Sequence, residues 1–263
     1  MYAISVPAWH FNIPGVYGED FVQVFDKLTE FFVAMLAPER PSLEHQWAIC
    51  VFDDLIDFAP NSAPKYQQHF LEPMMHYLSD VNPGVRQAAA YGVGALATKF
   101  PGANSPYLEF CKNCIPNLVN VINDPDSREV ENMSATENCI SAISKIFKHI
   151  IGQDNLDEAT VITWLSWLPI QEDDEESAHI YGFLLDLVES NNVFVLGKNN
   201  ANLPDIIKIL TEGIINKTIK SDDHPELMQR IQAFIIPLQK SEAIWSAILA
   251  KLPETHKVLL SGQ

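Results

Sequence analysis

Small and apolar residues recur along the chain at helical spacing, and the recurrence itself repeats. With a small residue as anchor and apolar or small residues at i+3, i+4 and i+7, one stripe reads Ala48, Val51, Phe52, Leu55 and the next Ala89, Gly92, Val93, Leu96. It returns as Thr136, Cys139, Ile140, Ile143 and as Ala178, Tyr181, Gly182, Leu185. Positions spaced this way fall on one stripe of a 3.6-residue helix, so each set predicts an amphipathic helix. A second helical pattern precedes each one: Glu19 to Leu36, Lys65 to Ser79, Tyr107 to Asn123 and Asp157 to Leu168. Pro38 and Pro41 break the first of these, and Ser42 reads as the cap of the helix that follows. The others close on Asp80-Val81-Asn82-Pro83-Gly84, on Asn123-Asp124-Pro125-Asp126 and on Pro169. Pro73 and Pro116 fall inside first helices, where a missing N–H and a ring clash predict kinks suited to a curved stack.

From Ala48 to Ala89, to Thr136 and to Ala178, the anchors recur at the period of roughly 40–47 residues that marks HEAT and armadillo repeats. No run of period-two alternation or series of hairpin turns competes. The expected fold is therefore all-α, a HEAT-repeat α-α superhelix built as a solenoid of antiparallel helix pairs. The pairs fall at about 19–59, 65–100, 105–150, 157–190 and 203–240, with a C-terminal cap at 241–263 and an atypical segment at 1–18. A loop from Asn191 to Asn202, rich in Asn and containing Gly197, leads to a helix from Leu203 to about Ile215. The segments His224 to Gln239 and Glu242 to Leu252 follow the template poorly, as terminal repeats do when one face must meet water.

Charge narrows the function classes. In 263 residues, 34 Asp and Glu face 17 Lys and Arg, a formal net charge of −17. Such a field repels nucleic acid and anionic lipid and attracts basic partners, although the same acidity also serves solubility. Nowhere do about 18 uncharged apolar residues run together, and the start lacks a basic n-region, so neither membrane spanning nor secretion is expected. Four cysteines in a chain this long suggest a reducing compartment rather than a disulfide scaffold. The sequons at Asn132 and Asn216 then read as chance matches.

Catalytic, cofactor and metal signatures are missing. Cys111-Lys112-Asn113-Cys114 is a lone CxxC without a second ligand pair, and its thiols are expected to pack as small hydrophobes. The short Gly92-Val93-Gly94 lies in a helical stripe, where close packing explains it better than a phosphate cradle. Gly197-Lys198-Asn199 is a loop, and the eight His have no dyad or ligand spacing. No enzyme, cofactor or metal is expected.

Three sets of residues carry physical meaning. Asp80 and Arg86 bracket a turn, where the Asp caps and the Arg crosses; Asp124 and Asp173 precede other second helices, and the set reads as a structural ladder. Glu172, Asp173, Asp174, Glu175 and Glu176 stand in a row at a helix start. One or two acids suffice for the helix dipole, so the run is either a docking patch for basic cargo or a solvated charge run. The faces opposite the apolar stripes present Gln46, Cys50, Asp53 and Asp57; Gln87, Tyr91 and Thr98; Asn138, Ser141 and Lys145; Glu176, Ile180 and Phe183. In stacked pairs this face lines a groove, and Gln46, Asp53, Asp57, Gln87, Tyr91, Asn138 and Ser141 are its candidate cargo-facing residues together with 172–176. The apolar end at Ile180, Phe183 and Leu187 is expected to be covered by the last repeats, the alternative being a pocket for an apolar peptide anchor.

Gln46-Trp47-Ala48 with Phe52-Asp53-Asp54, Val85 to Gly92, Ala135 to Ala142 and Trp164-Leu165-Ser166-Trp167-Leu168-Pro169 closely resemble the last repeats of the importin-beta family. Val195-Leu196-Gly197 with Asn199-Asn200 and Asn202-Leu203-Pro204 is similar to its importin five, or karyopherin beta-three, branch. The resemblance runs from about Pro41 onward and does not include the segment 1–18. It implies a receptor moving between cytoplasm and nucleus that imports basic cargo such as histones and ribosomal proteins and contacts FG nucleoporins. It also places the family's main Ran-GTP site in N-terminal repeats outside this stretch. A HEAT-repeat scaffold or regulatory subunit is the alternative reading.

Overall fold

The computed structural model describes residues 18–261; the atypical start therefore lies, but for Gly18, outside the described residues. Among these, every regular element is helical. Two compact units divide the chain after Gly152.

In the first unit a short 3-10 turn leads into α1 (Val22–Met35), followed by α2 (Ser42–Phe58), α3 (Gln67–Tyr77), α4 (Pro83–Lys99), α5 (Leu108–Ile122) and α6 (Val130–Ile146). A π-helical turn, Phe147–Ile151, continues α6. It ends where Gly152, at φ 83°, donates its N–H to the Phe147 carbonyl. The second helices α2, α4 and α6 pack side by side as one layer, and α1, α3 and α5 cover them as the other. Small anchors allow this: Ala48, Ala89 and Thr136 have no exposed surface, and side chains this short let neighbouring axes approach. Around Ala48 the core is aromatic, with the Phe25 ring 5.7 Å from Phe52 and 4.9 Å from Tyr66, both edge-on. Each such ring, fully buried, contributes roughly 1.5–3 kcal/mol. The helices α3 and α5 continue through Pro73 and Pro116.

The second unit holds α7 (Glu158–Ser166), α8 (Asp174–Glu189), α9 (Val193–Leu196), α10 (Leu203–Ile215), α11 (Pro225–Gln239), α12 (Glu242–Leu249) and α13 (Glu254–Ser261). Trp164 of α7 meets Phe183 of α8 edge-on at 5.0 Å. Arg230 of α11 forks onto Asp186 and Glu189 of α8 at 2.8 and 2.7 Å. At the end of the chain the buried His256 of α13 lies between Thr211 Oγ1, at 2.6 Å, and Glu212 Oε2, at 2.9 Å, both on α10.

Two local expectations need correction, and the C-terminal cap is seen in finer detail. Ser42 is the first residue of α2 rather than its cap; Pro41 holds the cap position with no side-chain bond, its carbonyl accepting from Glu44 and His45. The Asn191 to Asn202 loop contains one helical turn, α9, because the Asn192 carboxamide accepts from the N–H groups of Phe194 and Val195. The C-terminal cap holds two helices, α12 and α13, separated near Pro253.

Candidate functional site

The expected groove face separates into two populations. Gln46, Asp57, Gln87 and Tyr91 are partly exposed, whereas Asp53, Asn138 and Ser141 are 3%, 4% and 1% exposed. The cause lies on the facing helix. At Gly92 of α4 an added Cβ would stand 2.2 Å from Asp53 Oδ1 and 2.6 Å from Met74 Cε, so the missing side chain is what admits the carboxyl between helices. Gly94 likewise lets α4 approach α6, where an added Cβ would be 3.3 Å from Ala142 Cα. Helices this close enclose side chains that a single-helix projection leaves in the groove.

What remains accessible is a polar strip. Tyr91 donates its hydroxyl to Asp57 Oδ2 at 2.6 Å, and Lys99 Nζ donates to the Asp57 carbonyl at 2.8 Å. Lys145 of α6 lies over the Tyr91 ring at 5.3 Å. Asp57, Tyr91 and Lys145 therefore link α2, α4 and α6. Asp54 borders the strip, and the Asp53-Asp54 doublet was its signal in the sequence. Asp53 differs from its neighbours: its Oδ1 has no hydrogen-bond partner. Burial, then the charges of Asp57 and Asp54, push its carboxyl well above the usual range, which favours the neutral acid.

Arg86 joins turns rather than carboxylates. Its Nη1 donates to the backbone carbonyls of Asp80, at 2.7 Å, and Val81, at 3.1 Å, and its Nη2 to Asn132 Oδ1 at 2.7 Å. Asp80 Oδ1 accepts from the Asn82 N–H at 2.7 Å, and Asp124 accepts from Asp126 in the same way at 2.9 Å. Asn132 in turn donates to the Asp126 carbonyl at 3.0 Å. The Arg86 guanidinium thus ties the α3–α4 turn to the first turn of α6.

Most of the acidic run is drawn into local structure. Asp173 caps α8, accepting from the Glu176 N–H at 2.9 Å. Asp174 pairs with Lys220, which lowers its pKa chiefly through that hydrogen bond, and its carbonyl receives His224. Glu176 is only 6% exposed. Glu172 and Glu175 alone are exposed, so the five do not form one open patch. Ile180, Phe183 and Leu187 have no exposed surface.

Cys111 and Cys114 are also fully buried, and desolvation pushes both thiols up to about 12, which suppresses the reactive thiolate. Among the described residues no group of three or more His, Cys, Asp or Glu is placed to hold a metal ion, and no helix is long and apolar enough to cross a membrane. Between α3 and α5 runs a cleft of about 470 Å³ beside Met75, His76, Val81 and Asn117. It adjoins an apolar hollow floored by Leu71 and Phe110.

A HEAT repeat profile matches residues 70–100, which hold α4 and most of α3. Over 256 residues, 94% of this chain, the sequence is 25% identical to a probable importin-5 homolog of Dictyostelium discoideum, covering 23% of that protein. It is 31% identical over 169 residues to importin subunit beta-3 of Saccharomyces cerevisiae, covering 63% of this chain and 15% of that one. The chain is thus similar in sequence to members of the importin-beta family. The chain also superposes on the karyopherin Kap121p bound to the SUMO protease Ulp1p, with a TM-score of 0.74 at 21% identity over 93% of its length and 21% of that chain. Kap121p bound to RanGTP gives 0.72 at 20% identity, again over 93% of this chain and 21% of that one. At such identity the likeness concerns the fold. The chain thus spans less than a quarter of the length of these relatives, between 15% and 23%.

Proposed function

We propose that this chain is a HEAT-repeat region of a nuclear transport receptor that passes between cytoplasm and nucleus, whose second-helix layer takes basic cargo through Asp54, Asp57, Gln46, Gln87 and Tyr91. The observation that carries this reading is the sequence similarity to a probable importin-5 homolog along 94% of the chain and to importin subunit beta-3 along 63% of it. A net charge of −17 supports a cationic partner of the histone or ribosomal-protein kind. The cleft between α3 and α5, on the opposite layer, fits an aromatic side chain and would serve FG nucleoporins; Kap121p has been crystallised with Nup53p. A receptor region has no reaction to catalyse, and the buried thiols suit a non-enzymatic role.

The test is binding of a lysine-rich peptide to the purified chain at about 0.15 M salt, where charges beyond roughly 8 Å are screened. Neutralising Asp54 and Asp57 to Asn should weaken it about tenfold or more, the effect of roughly 1.4 kcal/mol. Neutralising Glu172 and Glu175 to Gln removes the same charge elsewhere and should change little. Equal losses would overturn the assignment of this face, and co-purification with a defined enzyme subunit in place of basic cargo would favour a scaffold.

A further inference from the structure

Asp53 poses a question that the cargo-facing strip does not answer. It is a carboxyl with 3% exposure and an unpartnered oxygen, set beneath the accessible Asp54 and Asp57 in the gap over Gly92. Burying an ionised carboxylate without a partner is costly, so the side chain rests there as the neutral acid. The groups around it come from three helices. Its own α2 supplies the charges of Asp54 and Asp57 and, one turn back, the thiol of Cys50. Helix α4 supplies Tyr91 and Lys99, both turned onto Asp57. Helix α3 supplies the uncharged Met74. Nothing in this set offers Asp53 a cation of its own, and two of its neighbours repel the charge it would acquire.

A cationic segment seated over the strip alters that balance. Its ammonium groups offset the charges of Asp54 and Asp57 and supply the attraction that Asp53 lacks. We infer that the strip is proton-linked: a lysine-rich segment binding over Asp54 and Asp57 expels the proton of Asp53 to solvent, leaving a carboxylate beneath the bound cation. This rests on the reading of the strip as a contact for basic cargo and adds its regulation. By linkage, a ligand that releases a proton binds more tightly as pH rises and is discharged as pH falls.

The experiment is isothermal titration of the full chain with an acetylated lysine-rich peptide free of His and acidic residues, in pairs of buffers with different ionisation enthalpies at each pH from about 6 to 9. The buffer dependence of the heat counts protons. Up to one proton should leave per peptide bound, and where release is complete affinity should rise about tenfold per pH unit. The Asp53→Asn variant should bind the peptide with that proton missing from the count. Peptide bound with no release, or the same release from the variant, overturns the inference and spares the cargo reading. Absence of peptide binding at every pH overturns both. Should Asp53→Asn fold poorly, the carboxyl carbon of Asp53 followed by NMR in the wild-type chain decides the matter. At fixed pH, saturating peptide should move it from the protonated toward the ionised position, and an unmoved signal refutes proton expulsion.

Discussion

One residue of the first unit is a carboxyl in the wrong solvent. Asp53 is neutral in the folded chain because desolvation and two like charges raise its pKa, whereas in the unfolded chain it ionises near the ordinary value of about 3.9. The folded state therefore holds the extra proton between those two values. Any stability linked to that proton is fully present below about pH 4 and is lost as pH rises toward the folded value. Asp53→Asn keeps the shape and removes the titration. It should melt at a higher temperature than wild type at pH 7–8, with the gap closing as pH approaches 4. Thermal melts across that range check it, and a constant gap would mean that Asp53 does not titrate differently in the two states.

At the scale of elements, turns and caps are held by short-range bonds that then become links between pairs. Arg86 donates to two carbonyls of its own turn and to Asn132 of α6, 46 residues away. Being partly exposed, it should contribute less than a fully buried pair: Arg86→Ala is expected to cost about 1–3 kcal/mol. Because Arg86 and Asn132 touch, a double-mutant cycle with Asn132→Ala should give a coupling of about 0.5 kcal/mol or more. Chemical denaturation measures both, and strict additivity would leave the two turns energetically independent. Helix α8 offers a sharper contrast within one acidic run. Asp173→Ala removes an N-cap and should cost about 1 kcal/mol, while Glu175→Gln, exposed at the same helix start, should change stability by no more than about 0.5 kcal/mol. Equal effects would assign the run to the helix dipole alone.

The whole molecule is an acidic array in two compact units. Its surplus of negative charge makes any contact with a basic peptide sensitive to ionic strength, since exposed charges more than about 8 Å apart are screened at physiological salt. The expected outcome is a lysine-rich peptide whose affinity falls steeply between about 0.05 and 0.5 M salt, with Asp54→Asn/Asp57→Asn reducing that steepness more than Glu172→Gln/Glu175→Gln. Fluorescence anisotropy over a salt series reads this directly. A salt-independent affinity would assign binding to apolar contacts, with the α3–α5 cleft the first candidate.

Features set by neighbours close together in the sequence could be read from the chain alone. Apolar stripes at helical spacing, their regular recurrence, the Asx turn at Asp80 and the cap at Asp173 depend on local backbone geometry, so residue order was sufficient for the helix-pair architecture. The family resemblance lay in the same local stretches. What only the tertiary structure decided depends on residues far apart. A helical projection gives the direction of Asp53, Asn138 and Ser141 but not the distance to the next helix. That distance is set by Gly92 and Gly94 on α4, one repeat further along from Asp53 and one repeat back from Asn138 and Ser141. Glu172 to Glu176 looked like one patch until Lys220, 46 residues beyond Asp174, was brought against it. Burial and pairing are properties of surfaces in contact, and those surfaces exist only once the helices have packed.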